Sequence, residues 1–371
     1  MKIGIITWFG YENYGTKLQA IALQSYLREK GHDVELIDFQ IPEPINSAKK
    51  QSVSSRLYRK INYLALKCSR RMYKEQLKIR SCRLEQVIQE KCIIKKKAEN
   101  DISFIGICNE FDLIICGSDQ IWNPNWYHPY YYADLPGIKT KKVSYAPSIG
   151  IQSIPENTKL LIQKSLKSFS YVTVREETAA SLLEPLLGYR PQKVLDPTML
   201  MSGRQWKEMF QLTTQIQQRY ILCYFLSDNR NHWNAVVKFA HKHNLSIKII
   251  PQQGFSFFQK GEIHADAGVK EFLELIQNAE YVLTDSFHGT VFSILFEKGV
   301  YVFERFQDDL YSSQNARVTE LVKQFGIEDH LIPYNSKNIE PKNPIDYSKV
   351  HATLNTLRSQ SEKILQTEIK E

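Results

Sequence analysis

The sequence predicts an α/β fold of two Rossmann-like domains facing a cleft, with a C-terminal helix packing back across both. Three observations predict it. Apolar strand-like runs alternate with amphipathic helical runs through the first half, the signature of βαβ units and a mostly parallel sheet. The rhythm loosens in the polar stretch Gln211–Gln218 and restarts at Tyr220. Finally, Tyr347–Ile369 reads as one uninterrupted amphipathic helix.

Taken in order, Lys2–Thr7 is a buried apolar strand, and Thr16–Lys30 is a helix with Leu18, Ile21, Ala22, Ser25 and Tyr26 on one face. Gly31 ends that helix and Val34–Phe39 is the second strand. A basic helical segment follows, with Leu57, Ile61, Leu64, Cys68 and Met72 at helical spacing. Phe111–Cys116, Lys142–Ala146 and Val172–Val174 read as further strands. In the second half the strands are Tyr220–Leu226, Ser246–Ile250, Tyr281–Leu283 and Val300–Phe303. Helices are expected over Asn231–His243, Val269–Asn278 and Gly289–Glu297. The expected division is 1–205 with a basic helical insert at about 48–100, then 206–345, then the terminal helix 346–371.

At 371 residues the chain exceeds one compact domain, and 43% apolar with 24% charged residues is ordinary for a globular protein. No apolar run is long enough to span a bilayer, and the N-terminus reads as a core strand rather than a signal peptide. The six cysteines, Cys68, Cys82, Cys92, Cys108, Cys116 and Cys223, form no C-x-x-C pair. They are expected to be reduced thiols of a cytoplasmic protein, and no metal site is expected. Net charge is +8, but it is concentrated: Lys49–Lys97 holds sixteen basic residues against Glu75, Glu85 and Glu90. Such a block suggests an anionic partner, with an anionic membrane face one expectation and a solvated helix pair over the sheet the other. Nucleic acid is not expected, because the block carries no recognised binding motif and no clear stacking platform.

Polar clusters fall at strand carboxyl ends, where ligands sit in such sheets. Thr284-Asp285-Ser286-Phe287-His288-Gly289-Thr290 reads as a strand end, a sharp turn and a helix start. A helix start favours an anion, Gly289 would permit close backbone approach, and a histidine can exchange a proton near neutral pH. The bland alternative for His288 is a satisfied core histidine. Trp8–Thr16, containing Asn13, Tyr14 and Gly15, could cradle a phosphate or sugar, although a tight βα turn explains its glycines equally. Ser118, Asp119, Gln120, Trp122 and Asn123 form a polar-aromatic group suited to a sugar, or else a capped turn with Trp122 in the core. Arg175 at a strand end, with Arg305 and Arg317 further on, could hold carboxylate or phosphate.

Several separated stretches together resemble the polysaccharide pyruvyl transferase family. They are Tyr14–Ala20, Gly117–Pro124, Ser144–Ala146, Val174–Glu176, Leu195–Thr198, Asn278–Glu280 with Thr284–Thr290, and Asn315–Arg317. The resemblance implies a fold like that of GT-B glycosyltransferases. It also implies a reaction in which phosphoenolpyruvate gives a cyclic pyruvate ketal on a sugar of a cell-surface polysaccharide precursor, with release of phosphate. Family members with a basic residue before the Leu-His-Gly turn would use it as an anion clamp; this chain has Ser286-Phe287 there, so arginines must supply the charge. His288 is then the expected general acid and Asp119 the expected base. Arg175, Ser286, Gly289, Thr290, Arg305 and Arg317 are the expected donor-binding set. Asn13, Tyr14, Gly15, Ser118, Gln120, Trp122 and Asn123 are the expected acceptor set. Phosphoenolpyruvate is a co-substrate, no cofactor is expected, and the acceptor is a lipid-linked or oligosaccharide glycan. The rival readings are a GT-B glycosyltransferase using a nucleotide sugar and a non-catalytic glycan-binding protein. No D-x-D motif points to a metal-bound nucleotide sugar.

Overall fold

Runs such as Tyr220-Ile221-Leu222-Cys223-Tyr224 are apolar at every position because both faces of their sheets are covered. The computed structural model describes residues 1–41, 53–214, 218–307 and 313–370. The chain opens with β1 (Lys2–Ile6), α1 (Tyr14–Glu29), β2 (Asp33–Leu36), β3 (Asp38–Phe39), α2 (Val53–Met72) and α3 (Lys74–Lys91). There follow β4 (Lys97–Ala98), α4 (Asp101–Cys108), β5 (Leu113–Cys116), β6 (Lys141–Ser144) and α5 (Glu156–Leu166). Then come β7 (Thr173–Val174), α6 (Glu177–Leu187), β8 (Gln192–Lys193) and α7 (Gly203–Phe210). The second half holds β9 (Tyr220–Tyr224), α8 (Arg230–His243), β10 (Ser246–Ile249), β11 (Glu262–Ile263), α9 (Val269–Asn278) and β12 (Tyr281–Thr284). It closes with α10 (Phe287–Leu295), β13 (Gly299–Phe303), α11 (Ala316–Gln324), β14 (Leu331–Ile332) and α12 (Tyr347–Lys370).

The first half forms a parallel sheet in the order β2-β1-β5-β6, and the second a parallel sheet β11-β10-β9-β12-β13-β14. Strand order reverses beside β1 in the first sheet and beside β9 in the second. Ligands bind beyond the carboxyl ends of strands at such switch points. The loops after β1, β5, β9 and β12 are therefore the ones that count, and three of them hold residues singled out from sequence. Expected helices begin slightly late against the observed ones because side chains cap them. Asn13 accepts from the Gly15 and Thr16 amides, so α1 starts at Tyr14; Ser286 accepts from the Gly289 amide, so α10 starts at Phe287.

The halves are tied by direct bonds. The Tyr14 hydroxyl donates to the Ala267 carbonyl at 2.7 Å, and its ring stacks on Phe272. Glu320 of α11 accepts from the Glu177 and Thr178 amides, capping α6 from the other half. Helix α12 crosses back as expected. Its Tyr347 donates to the Lys298 carbonyl, Arg358 donates to Met199, and Ser361 accepts from the Leu195 amide.

The basic block divides into residues that tie the two halves together and residues that stay exposed. Arg80 donates to the Pro251 carbonyl at 2.8 Å, Arg83 pairs with Asp266 and Glu271, and Lys91 donates to Met209. Helix α3 thus clamps the second half against the first. Lys95 and Lys96 pair with Glu35 and Glu110. Lys67, Arg70, Arg71, Lys74 and Lys78 stay exposed, whereas Lys49 and Lys50 lie outside the described residues. All six cysteines are free thiols, and burial pushes Cys92 and Cys108 up to about 12. No described helix is long and apolar enough to cross a membrane.

Candidate active site

His288 sits in the first turn of α10, 7% exposed, where the second half meets the first. Its ring lies against the start of α1, and a Cβ at Gly15 would fall 1.9 Å from Nδ1. Its Nε2 faces Oδ2 of Asp196 at 3.5 Å, an ion-pair distance rather than a hydrogen bond. Asp196 comes from the other half, in the turn that follows β8, and Thr198 donates to its Oδ1 through both amide and hydroxyl. Burial acts to raise the Asp196 carboxyl. Its interactions with His288 and Arg175, with the hydrogen bonds from Thr198, overcome it and hold the carboxyl well below the usual range.

Arg175 shares that carboxylate. Its Nη1 donates to Asp196 Oδ2 at 2.7 Å and its Nε to Glu176 at 3.1 Å, while Nη2 stands 4.0 Å from Asp119. The guanidinium also lies 4.2 Å over the Phe287 ring. Asp119 accepts from the Thr16 hydroxyl at 2.9 Å and from the Gln120 amide. Its backbone lies at φ 65, ψ −175, a region costing about 1–3 kcal/mol for a residue with a side chain, so the surrounding bonds hold it there.

Two further arginines converge on this network. Arg317 is 8% exposed; its Nη2 donates to Gln314, and its Nε meets no hydrogen-bond acceptor among the described residues. Burial, then the charges of Arg175 and Arg305, pushes Arg317 down to about 9. Arg305 donates to the Asp285 carbonyl and lies 3.5 Å from its carboxylate, which itself accepts from the Leu226 and Ser227 amides. Gln314 also accepts from Gln120, closing a link between the halves at 3.3 Å. Arg175, Asp196, Phe287, Arg317 and Glu320 help line a cavity of about 20 Å³, room for a water and little more. The seam is therefore shut around two arginines and the carboxylates of Glu176, Asp196 and Glu320.

Several expected contacts are turned elsewhere. Arg175 is occupied by two carboxylates, so it orders the site rather than offering a free clamp. Gly289 packs its Cα against Thr284, where a Cβ would meet Oγ1 at 2.6 Å, and Ser286 already caps its amide. The Thr290 hydroxyl donates to Ser286 O within α10. On the acceptor side, Asn13 is a helix cap and Tyr14 an anchor between the halves. Ser118 is fully buried and donates to Ala146, and Asn123 caps the turn after it. Trp122 is core: it is 1% exposed, stacks on Tyr132 and donates to Tyr131 O. Gly15 touches His288 itself.

Asp196, Glu176, Thr16 and Gln314 complete the network and were not among the expected site residues. A signal existed for Asp196, since Asp196-Pro197 ends a strand-like run. Among the described residues no three His, Cys, Asp or Glu side chains gather as for a metal.

A family model described as polysaccharide pyruvyl transferase matches residues 13–308. No curated protein matches the chain. Among solved structures, the UDP-GlcNAc 2-epimerase of Methanocaldococcus jannaschii is similar at 12% identity and TM-score 0.51, covering 100% of both chains. That of Neisseria meningitidis bound to UDP-GlcNAc is similar at 11% identity and TM-score 0.50, again covering 100% of both. At such identities the likeness is one of fold, and it is the expected GT-B-like one.

Proposed function

The chain belongs to the polysaccharide pyruvyl transferase family, and from that premise we propose that it forms a cyclic pyruvate ketal on a glycan from phosphoenolpyruvate. The observation that carries this reading is Arg317. A buried guanidinium beside two others, with a donor unmatched among the described residues, favours an anionic ligand. Phosphoenolpyruvate brings a carboxylate and a phosphate. Arg317 and Arg305 would hold it, and Arg175 would keep Asp196 and Asp119 in place. The donor side thus falls within 206–345 and the acceptor side within 1–205. Because the cavity is small, the halves would part to admit the donor.

In the reaction one sugar hydroxyl adds to C2 of the donor while C3 takes a proton, turning the methylene into a methyl. The C2–O bond to phosphate then breaks, phosphate leaves with the bonding pair, and the second hydroxyl closes the ring on C2. Of the two hydroxyl protons, one balances that given to C3 and one leaves with phosphate. His288, oriented by Asp196 as a base is by its carboxylate partner, would protonate C3, and Asp119 would receive a hydroxyl proton.

Incubation with phosphoenolpyruvate and aryl or lipid-linked glycosides tests the reading. Acceptor-dependent phosphate release with a ketal product supports it. Turnover of a nucleotide sugar instead would replace it with glycosyl transfer. We further propose that α2 brings the enzyme to an anionic membrane. Exposed Lys67, Arg70 and Arg71 lie beside exposed Tyr63, Leu64 and Met72, and each basic residue near such a surface contributes about 1 kcal/mol. Salt-sensitive binding to anionic but not neutral vesicles is expected, and no binding to anionic vesicles would end this reading.

A further inference from the structure

A larger cavity, about 910 Å³, opens beyond the carboxyl end of β1, at the switch point of the first sheet. None of its lining residues was in the expected acceptor set. Its aromatic wall is built around Trp8, whose ring meets Tyr11 edge-on at 5.5 Å, Trp126 at 5.9 Å and Tyr131 at 6.0 Å. Trp8, Tyr11 and Tyr131 line the cavity, and Tyr11 is 56% exposed. Facing residues include the carboxylates Asp38, Glu85 and Glu99 against the single ammonium of Lys97, among the described lining residues.

Unlike the seam cavity, whose lining includes Arg175 and Arg317, this groove has no arginine among its described lining residues. Three carboxylates would repel a phosphate or a nucleotide. Flat aromatic faces beside fixed hydrogen-bond acceptors match a neutral polyhydroxylated ligand, whose C–H faces stack while its hydroxyls donate. The volume lies near the top of the roughly 300–1,000 Å³ range of small-molecule sites, more than one sugar unit requires.

Position ties the groove to the chemistry. The Tyr11 carbonyl accepts from the Asn13 amide at 2.8 Å, and Asn13 caps the helix whose Gly15 touches His288. At the other side, Trp126 donates to the Gln120 carbonyl at 3.2 Å, next to Asp119. Resting on the function proposed above, we propose that this groove, with Tyr11 and Trp8 as its platform, binds the terminal sugars of the acceptor glycan. The acceptor's end reaches Asp119 from the groove while the anionic donor enters at the arginines.

Tyr11→Ala and Glu99→Gln test this, since both side chains are exposed and neither belongs to the proposed catalytic network. In steady-state assays the KM for the glycoside should rise at least tenfold, while that for phosphoenolpyruvate stays within about twofold. Saturation-transfer NMR with methyl mono- and disaccharides reads binding without turnover. The wild type should contact disaccharides more strongly, and Tyr11→Ala should lose the signal. Disaccharide binding that depends on Tyr11, in a protein that never uses phosphoenolpyruvate, would keep the groove and reject the reaction. Turnover with an unchanged glycoside KM in both variants overturns the groove, as does absence of saturation transfer to every sugar.

Discussion

The imidazole of His288 occupies the space that a side chain at position 15 would need, with Nδ1 1.9 Å from the site of a Cβ. Glycine in the first turn of one half is thus a condition for the histidine of the other. Gly15→Ala should force the ring aside, at about 1–3 kcal/mol of stability from overpacking. A catalytic group misplaced by about 1 Å can lower turnover about 10²-fold. Thermal melting and kcat measured on the same preparation check both parts.

Arg317 predicts stability and function moving in opposite directions. Burial and two neighbouring guanidinium groups disfavour its charge, so Arg317→Met should leave the melting temperature unchanged or higher. The same change should raise the KM for phosphoenolpyruvate at least tenfold and abolish the thermal shift given by that ligand. A variant that melts much lower would show that Arg317 is a structural cation instead.

Asp196 links the site to acid stability. Its carboxyl is depressed in the folded state, so its contribution is present above the ordinary carboxylate range and is lost as pH falls through the folded value. Asp196→Asn should lose about 3–5 kcal/mol at pH 7, because Arg175 is left with half its partners. In denaturant titrations the gap between variant and wild type should narrow on acidification.

Glu368 in α12 predicts the reverse slope. It is 1% exposed, neither carboxyl oxygen has a hydrogen-bond partner among the described residues, and burial pushes it up to about 9 against the pull of Lys141. A raised carboxyl favours folding at low pH and loses that advantage as pH rises through the window from 4.5 to about 9. The wild type should lose up to about 1.4 kcal/mol per pH unit there, and Glu368→Gln should flatten the slope.

The sheet elements were legible because doubly covered strands such as Tyr281–Thr284 are apolar throughout, and His288 was legible because strand, turn and helix adjoin in sequence. What the histidine faces was not. Asp196 reaches it across the seam between halves, a contact that no local period encodes. Trp122 shows the same limit in reverse. An aromatic residue in a strand-end turn can face cleft or core, and here Tyr132, packed beside it, decides for the core. Arg175 was placed correctly at a strand end, but its carboxylate partners, one of them beyond a whole helix in sequence, had to be seen folded. The groove at Trp8 and Tyr11 depends on Trp126 and Tyr131 arriving from a distant loop.

Running the reaction in D2O tests the central claim most directly. With phosphoenolpyruvate and a glycoside acceptor, phosphate should be released only when the acceptor is present. The ketal methyl should carry one deuterium, the proton that C3 received. His288→Ala should slow that product about 10²–10⁴-fold while the melting temperature barely moves, since Asp196 keeps Arg175 and Thr198. A deuterated ketal formed as fast by His288→Ala would remove the histidine from the proton transfer. No ketal from any acceptor, with a nucleotide sugar consumed instead, would contradict the account.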